Sequence, residues 1–310
     1  MDRYREAEQR VWDHYGLQPR ERFLELERPP LRLRVLEVGT GPPVLFLPGS
    51  GGAGAAWAPL LADLDGHRCL LLDPPNSGLS SRLDYAGRRY GHTIVEVLRA
   101  VVDRLELERL DLVGFSVGNV SALRLAEAEP ERVERVVLLG AGPIPDGWRV
   151  PGILRTIASP LGALLVRMPP GRRAARAFLR QLGHAGSLDA GRIPDAVIDW
   201  RVGFDRYTDT LRNERAMVRA VTDWRRGSLR PGVTLTGAEL RGIVQPTLLV
   251  YGACDGTGSL ESLRPVVDAL PRCELRIVEG GGHVVWLDDP AAVAAHIGSF
   301  LTSTEREVAR

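Results

Sequence analysis

The sequence predicts an α/β fold in which a mostly parallel, doubly wound sheet is interrupted by one helical insertion. Three observations support this prediction. Short, almost wholly apolar runs recur along the chain, helical patterns lie between most of them, and about 100 residues after the sixth predicted strand contain no strong strand. Parallel strands are covered by helices on both faces and therefore appear as continuous apolar runs. We expect a core formed by residues 1–142 and 244–310, with residues 143–243 as the insertion.

The first elements differ from the rest of the predicted sheet. Residues 1–17 are charged and amphipathic, and they predict a helix rather than a secretory signal because they contain no apolar stretch. Residues 22–27 and 31–37 alternate apolar and charged side chains. This alternation is typical of half-exposed antiparallel strands.

The apolar runs that follow predict buried parallel strands, with helices between them. The predicted strands are residues 44–47, 69–72, 110–113, 136–139, 247–250 and 274–278. Amphipathic helices are predicted at residues 94–105 and 117–128, and a last helix at residues 291–301 closes the fold. In the insertion, helical patterns separated by Gly and Pro cover residues 152–166, 172–182, 195–204 and 211–224.

Composition excludes several classes of function. The 310 residues are 44% apolar and 25% charged, with a net charge of +1, so neither nucleic acid nor another polyanion is an expected partner. No apolar run approaches the 18 residues or so that a membrane span needs. Cys69, Cys254 and Cys273 form neither a CxxC pair nor a metal-ligand pattern, and their odd number favours a reducing, cytoplasmic location.

Lysine is absent, so all 40 cationic side chains are Arg. This absence excludes a Schiff-base lysine, the usual attachment of pyridoxal phosphate, and a phosphate loop that ends in Gly-Lys-Ser/Thr. We expect neither a metal nor an organic cofactor.

A Gly-x-Ser-x-Gly motif is centred on Ser116, between a predicted strand and a predicted helix. In that setting the glycines permit a tight, strained turn that lifts the serine hydroxyl clear of the sheet. The motif predicts a nucleophile elbow with Ser116 as the nucleophile.

A serine nucleophile needs a base, and that base needs an orienting acid. His283 follows three glycines just after the last predicted strand, whereas His92 and His184 lie near glycines in loops where we expect exposure. Asp255 follows the strand at residues 247–250, in the chain order Ser, Asp, His of α/β-hydrolases. Asp146, soon after the strand at residues 136–139, stays open as an alternative acid.

These motifs resemble those of the α/β-hydrolase superfamily, in the branch with a serine nucleophile and a helical cap inserted after the sixth strand. The resemblance covers roughly residues 20–303 and departs from the family at Pro48, where His is usual, and at Asn119, where Gly is commoner. It is carried by the Ser116 turn, by Gly282-His283, and by residues 45–49, 72–80, 246–252 and 289–290.

The resemblance implies a serine esterase-like hydrolase with a catalytic triad. The oxyanion hole would consist of the backbone amides of Ser50 and Val117. The cap, with Trp148, Trp200 and Trp224, would cover a largely apolar pocket for a small-molecule substrate. The scissile bond stays open among ester, lactone, amide and a carbon–carbon bond next to a ketone.

Two other interpretations stay open. The glycines of residues 49–54 satisfy GxGxxG after a strand, and Asp73 ends the next strand, as in a dinucleotide-binding oxidoreductase. Pro48 interrupts that strand–turn junction, and the interpretation leaves the placement of Ser116, Asp255 and His283 unexplained. The fold could also serve a lyase or a ligand-binding receptor.

Overall fold

The computed structural model describes residues 2–142, 150, 152–168 and 170–303. Its strands are β1 (Arg20–Glu27), β2 (Pro30–Val38), β3 (Pro43–Leu47), β4 (Arg68–Leu72), β5 (Leu110–Phe115), β6 (Val133–Leu139), β7 (Thr222–Asp223), β8 (Ser228–Leu229), β9 (Thr247–Gly252) and β10 (Cys273–Val278). Its helices are α1 (Asp2–His14), α2 (Ala58–Leu61), α3 (Tyr90–Arg104), α4 (Val117–Ala128), α5 (Gly152–Ala158), α6 (Gly162–Leu165), α7 (Arg172–Gln181), α8 (Ala185–Asp189), α9 (Asp195–Tyr207), α10 (Thr210–Val221), α11 (Gly237–Arg241), α12 (Leu260–Ala269) and α13 (Pro290–Thr302). Two 3-10 turns cover Gly54–Trp57 and Val285–Leu287.

Eight strands form one sheet in the order β1-β2-β4-β3-β5-β6-β9-β10. Strand β2 pairs antiparallel with both β1 and β4, and the strands from β4 to β10 pair in parallel. The mostly parallel, doubly wound sheet and its antiparallel start are confirmed.

Apolar side chains pack on both faces of this sheet. Successive residues of β6 illustrate the alternation, because Leu138 lies in one buried cluster while Val137 and Leu139 lie in the other. Side chains of a strand point alternately to opposite faces, so a strand buried on both faces must be apolar throughout. This packing explains the continuous apolar runs in the sequence.

Among the described residues between β6 and β9, the regular elements are the helices α5 to α11 and the short hairpin β7–β8, joined by loops. The helix predicted at residues 152–166 is two helices, with Pro160 between α5 and α6. A proline disfavours helical backbone in the residue before it and thereby ends a helix. Helix α10 ends at Val221 because Thr222 pairs with Leu229 in the hairpin, and the short helices α8 and α11 were not predicted.

Helix α1 joins the insertion to the sheet. The Tyr4 ring lies 5.8 Å from the Phe204 ring of α9. Arg34 of β2 forms ion pairs of 2.6 Å with Glu8 of α1 and with Glu21 of β1. The buried Arg34 charge is tolerated because these two carboxylates replace its lost hydration. Among the residues that the structure describes, no helix is both long and apolar enough to cross a membrane.

Candidate active site

The candidate site lies where four parallel strands end. The register pairs Leu47 of β3 with Gly114 of β5, and Phe115 of β5 with Leu139 of β6. Leu139 in turn pairs with Val250 of β9. The loops that follow these strands therefore meet at one edge of the sheet, where open α/β sheets place their ligands.

Ser116 occupies a strained turn between β5 and α4. Its backbone has φ 54° and ψ −115°, a conformation that L-residues other than glycine rarely adopt. A Cβ placed on Gly114 would lie 2.7 Å from the Gly118 carbonyl oxygen, and one on Gly118 would lie 2.0 Å from the Leu47 carbonyl oxygen. Only glycine fits on either side, which explains the motif spacing physically.

His283 and Asp255 form a hydrogen-bonded pair at the same edge. His283 Nδ1 donates to Asp255 Oδ2 at 2.8 Å, and both side chains are buried. The Ala141 amide also donates to Asp255 Oδ2, at 2.9 Å. The structure thus brings two of the sequence-predicted residues together, and Asp146 lies outside the described residues.

Thr257 completes the surroundings of Asp255, although the sequence analysis missed it. Its amide and its hydroxyl donate to Asp255 Oδ1 at 2.8 and 2.7 Å. Burial raises the pKa of Asp255, but the bonds from His283, Ala141 and Thr257 outweigh it and hold that pKa below its usual value. An Asp that bonds the backbone two residues on is an Asx turn, so the Asp-x-Thr pattern was the available signal.

Phe115, the residue before Ser116, packs against the His283 ring. The Phe115 and His283 ring centroids are 4.8 Å apart, and a Cβ on Gly140 would lie 2.5 Å from the His283 carbonyl oxygen. The Ser116 hydroxyl makes no hydrogen bond with any described residue, so it is not bonded to His283 in this structure. Hydrogen bonds of this kind often tighten only when a substrate is bound.

The loop after β3 packs directly against Ser116. A Cβ on Gly49 would lie 3.0 Å from Ser116 Cβ, which places the Ser50 backbone beside the serine. Val117 is the first residue of α4, so its amide has no partner within the helix. Asn119 bonds the Leu139 and Gly140 carbonyl oxygens, each at 3.2 Å, and is fully buried. It is therefore satisfied by β6 and does not crowd a pocket.

A cavity of about 50 Å³ lies beside this loop. Its walls are mostly apolar and include Ser50 and Val117, with Thr210, Glu214 and Met217 contributed by α10. Trp200 and Trp224 do not line it, and Trp148 lies outside the described residues. Ligand sites usually measure 300–1,000 Å³. The cavity therefore has to widen before a substrate of ordinary size can enter.

A comparison with protein families decides the relationship. The family described as alpha/beta hydrolase fold matches residues 42–290. The chain belongs to the alpha/beta hydrolase fold family. The sequence resemblance and the fold predicted from it are confirmed.

Curated relatives align with most of the chain. The 2-hydroxymuconate semialdehyde hydrolase of Pseudomonas sp. (strain CF600) is 27% identical over 282 residues, covering 89% of this chain and 92% of the relative. The 2-hydroxy-6-oxononadienedioate/2-hydroxy-6-oxononatrienedioate hydrolase of Cupriavidus pinatubonensis is 27% identical over 285 residues, covering 87% and 90%.

Solved structures show the same α/β-hydrolase fold. A putative lipase from Acinetobacter baumannii superimposes with a TM-score of 0.76 at 19% identity, covering 99% of this chain and 96% of the other. A carboxylesterase from Bacillus subtilis superimposes with a TM-score of 0.72 at 18% identity, covering 97% of each chain.

The glycine-rich loop is built into this α/β-hydrolase core. The Gly54 amide donates to Asp73 Oδ1 at 2.8 Å, and the Leu79 amide donates to Asp73 Oδ2 at 3.1 Å. Asp73 is fully buried, and a Cβ on Gly54 would lie 3.0 Å from the Leu36 side chain. A buried, satisfied carboxylate cannot bind a ribose hydroxyl, so this geometry argues against the dinucleotide interpretation.

His184 is buried, although its glycine-flanked loop predicted exposure. Its Nδ1 lies 2.8 Å from Asp288 Oδ2, and its Nε2 accepts from the Val284 amide at 3.2 Å. The Gly282 amide donates to the same Asp288 oxygen at 2.7 Å. The insertion thus holds both sides of the loop that carries His283. The earlier expectation considered only local turn residues, whereas burial here comes from docking of the insertion.

Proposed function

We propose that this α/β-hydrolase is a serine hydrolase that cleaves an ester-like bond in a small, largely apolar substrate. One observation carries the proposal: a serine in a strained strand–helix turn shares a sheet edge with a buried His283–Asp255 pair. Backbone strain of this kind persists only where the fold enforces it, and it clusters at functional sites.

In the proposed reaction Ser116 Oγ attacks the substrate carbonyl carbon and passes its proton to His283 Nε2. Asp255 accepts the hydrogen bond from His283 Nδ1, which keeps the other nitrogen free as the base. The Ser50 and Val117 amides stabilise the tetrahedral oxyanion. His283 then protonates the leaving group, and the same base activates the water that releases the acyl group from Ser116.

The insertion is proposed as the cap that selects substrates. Its helix α10 contributes Thr210, Glu214 and Met217 to the wall of the cavity, which also includes Ser50 and Val117. Ser116, Asp255 and His283 are not among the residues that line this cavity. A cap over the strand ends would also exclude water from the acyl-enzyme. Among the described residues of the insertion, α10 supplies the residues that line the cavity, and Trp200 and Trp224 do not line it.

A second candidate reaction is hydrolysis of a carbon–carbon bond next to a ketone. It is favoured by the Pseudomonas and Cupriavidus relatives, which align over 89% and 87% of this chain. Incubation with 2-hydroxymuconate semialdehyde, compared with p-nitrophenyl esters of short fatty acids, separates the two reactions by product analysis.

The proposal is tested by labelling with a fluorophosphonate and by ester turnover. We expect Ser116→Ala to abolish labelling and to lower kcat/KM by at least ~10³-fold, since members of a triad act as a unit. Ser121→Ala is the control, because Ser121 lies on the helix that follows Ser116 and lines the cavity beside the site. Labelling that persists in Ser116→Ala, or disappears in Ser121→Ala, contradicts the proposal, as does a lyase product or binding without turnover.

A further inference from the structure

Glu214 is the only carboxylate among the described residues that line the cavity, and no Arg, Lys or His joins it there. It lies on α10, and the Ser50 hydroxyl donates a hydrogen bond to its Oε1. Glu214 of the insertion is therefore hydrogen-bonded to Ser50, whose amide we assign to the oxyanion hole.

The second oxygen of Glu214 lies against the same loop. Gly51 has φ +61°, and a Cβ there would lie 2.3 Å from Glu214 Oε2. This oxygen makes no hydrogen bond with any residue in the described part of the chain. Because Glu214 lines the cavity, a molecule bound there can donate a hydrogen bond to this carboxylate.

Among the described residues, no cationic side chain lines the cavity beside Glu214 to bind an anionic ligand. Arg201 of α9 is the nearby cation, and it donates to Asp205 at 3.0 Å and to the Gly51 carbonyl oxygen at 2.8 Å. Asp205 adds a second carboxylate close by. Burial raises the pKa of Glu214, while Ser50 and Arg201 oppose that rise. An anion entering the cavity would meet the Glu214 carboxylate, while Arg201 and Asp205 lie outside the lining and pair with each other.

We propose that Glu214 determines the substrate class: the pocket accepts uncharged or cationic substrates and rejects those that carry a carboxylate near α10. A hydroxyl or ammonium group of the substrate can replace the Ser50 hydroxyl as the hydrogen-bond donor to Glu214. A substrate carboxylate is repelled by Glu214, and neither carboxylate then has a cationic partner in a site of low dielectric. The inference rests on the proposed function for its place in catalysis. It separates this chain from the Cupriavidus relative, whose name describes a dioate substrate.

The test measures binding of three molecules of one shape. Hexylammonium, hexanol and hexanoate are titrated by calorimetry at pH 8, where free hexylammonium and free hexanoate are both charged. We expect the wild type to bind hexanoate about 100-fold more weakly than hexylammonium, and Glu214→Gln to reduce that ratio to less than about 5-fold. Asp209→Asn is the control, because it removes one charge from an exposed side chain at the start of the same helix.

Each outcome decides the inference separately from catalysis. Hexanoate that binds the wild type as tightly as hexylammonium overturns it without any variant. So does the absence of binding by all three molecules, an unchanged ratio in a Glu214→Gln protein with the wild-type circular dichroism spectrum, or an equal change in Asp209→Asn. If the binding order holds but Ser116 is neither labelled nor needed for ester turnover, the proposed function fails while the assignment of Glu214 stands.

Discussion

Replacement of Asp255 by Asn tests the hydrogen-bond geometry around His283. In the wild type the carboxylate accepts four bonds, from His283, Ala141 and both donors of Thr257. An amide offers one oxygen acceptor and one NH2 donor in the same space. The substitution keeps the shape of the side chain while removing half of its accepting capacity.

The effect of the substitution on activity and stability depends on which way the introduced amide is oriented. If the amide oxygen faces Thr257, the NH2 group faces His283 Nδ1 and the Ala141 amide, which lie 2.8 and 2.9 Å from the present Oδ2. His283 must then carry its proton on Nε2, where it cannot accept the proton of Ser116. The opposite orientation leaves the Thr257 amide without an acceptor, and an unsatisfied buried donor costs about 1–3 kcal/mol.

We therefore expect Asp255→Asn to lower kcat/KM by about 10³-fold, or about 4 kcal/mol of transition-state stabilisation. The assay is hydrolysis of p-nitrophenyl butyrate at pH 8, with circular dichroism to verify folding. Asp146→Asn is the matched control, since Asp146 was the alternative acid from the sequence. Greater damage from Asp146→Asn in a folded protein, or more than a tenth of wild-type activity in Asp255→Asn, refutes the reasoning.

Two further predictions concern the insertion and its contact with Asp288. Trp200 is 4% exposed, packs 5.3 Å from the Phe204 ring and lies outside the cavity wall. Trp200→Ala should thus lower the free energy of unfolding in urea by about 3–5 kcal/mol without altering relative rates across an ester series. Met217→Ala should alter those relative rates. Altered selectivity in Trp200→Ala contradicts this assignment. Burial raises the pKa of Asp288, but bonds from His184, Ser187 and Gly282 hold that pKa below its usual value. This stabilisation is complete above the unfolded pKa of about 3.9 and is lost as the pH falls through the folded pKa. Asp288→Asn should therefore lower the free energy of unfolding by about 3 kcal/mol at pH 7. It should also make the fall of stability at acid pH less steep than in the wild type. A fall as steep as in the wild type would count against that role.

The sequence by itself determined the features that depend on near neighbours in the chain. The apolar runs predicted the parallel strands, because a strand covered on both faces must be apolar at every position. The glycines around Ser116 predicted the strained turn, because a Cβ on Gly114 would collide with Gly118 and Asn119, a few residues further along the chain. Steric limits and periodicity of this kind are local, and they can be seen without a fold.

The tertiary structure alone decided which distant side chains meet. It brought Asp255 to His283, where the order of residues along the chain had left Asp146 open. It buried His184 in a loop whose glycines predicted exposure, and it turned Trp200 away from the cavity. It also placed Glu214 on Ser50, 164 residues away in the chain. Burial and charge pairing arise when separate elements pack, so they depend on how helices cross the sheet, and no local pattern records that.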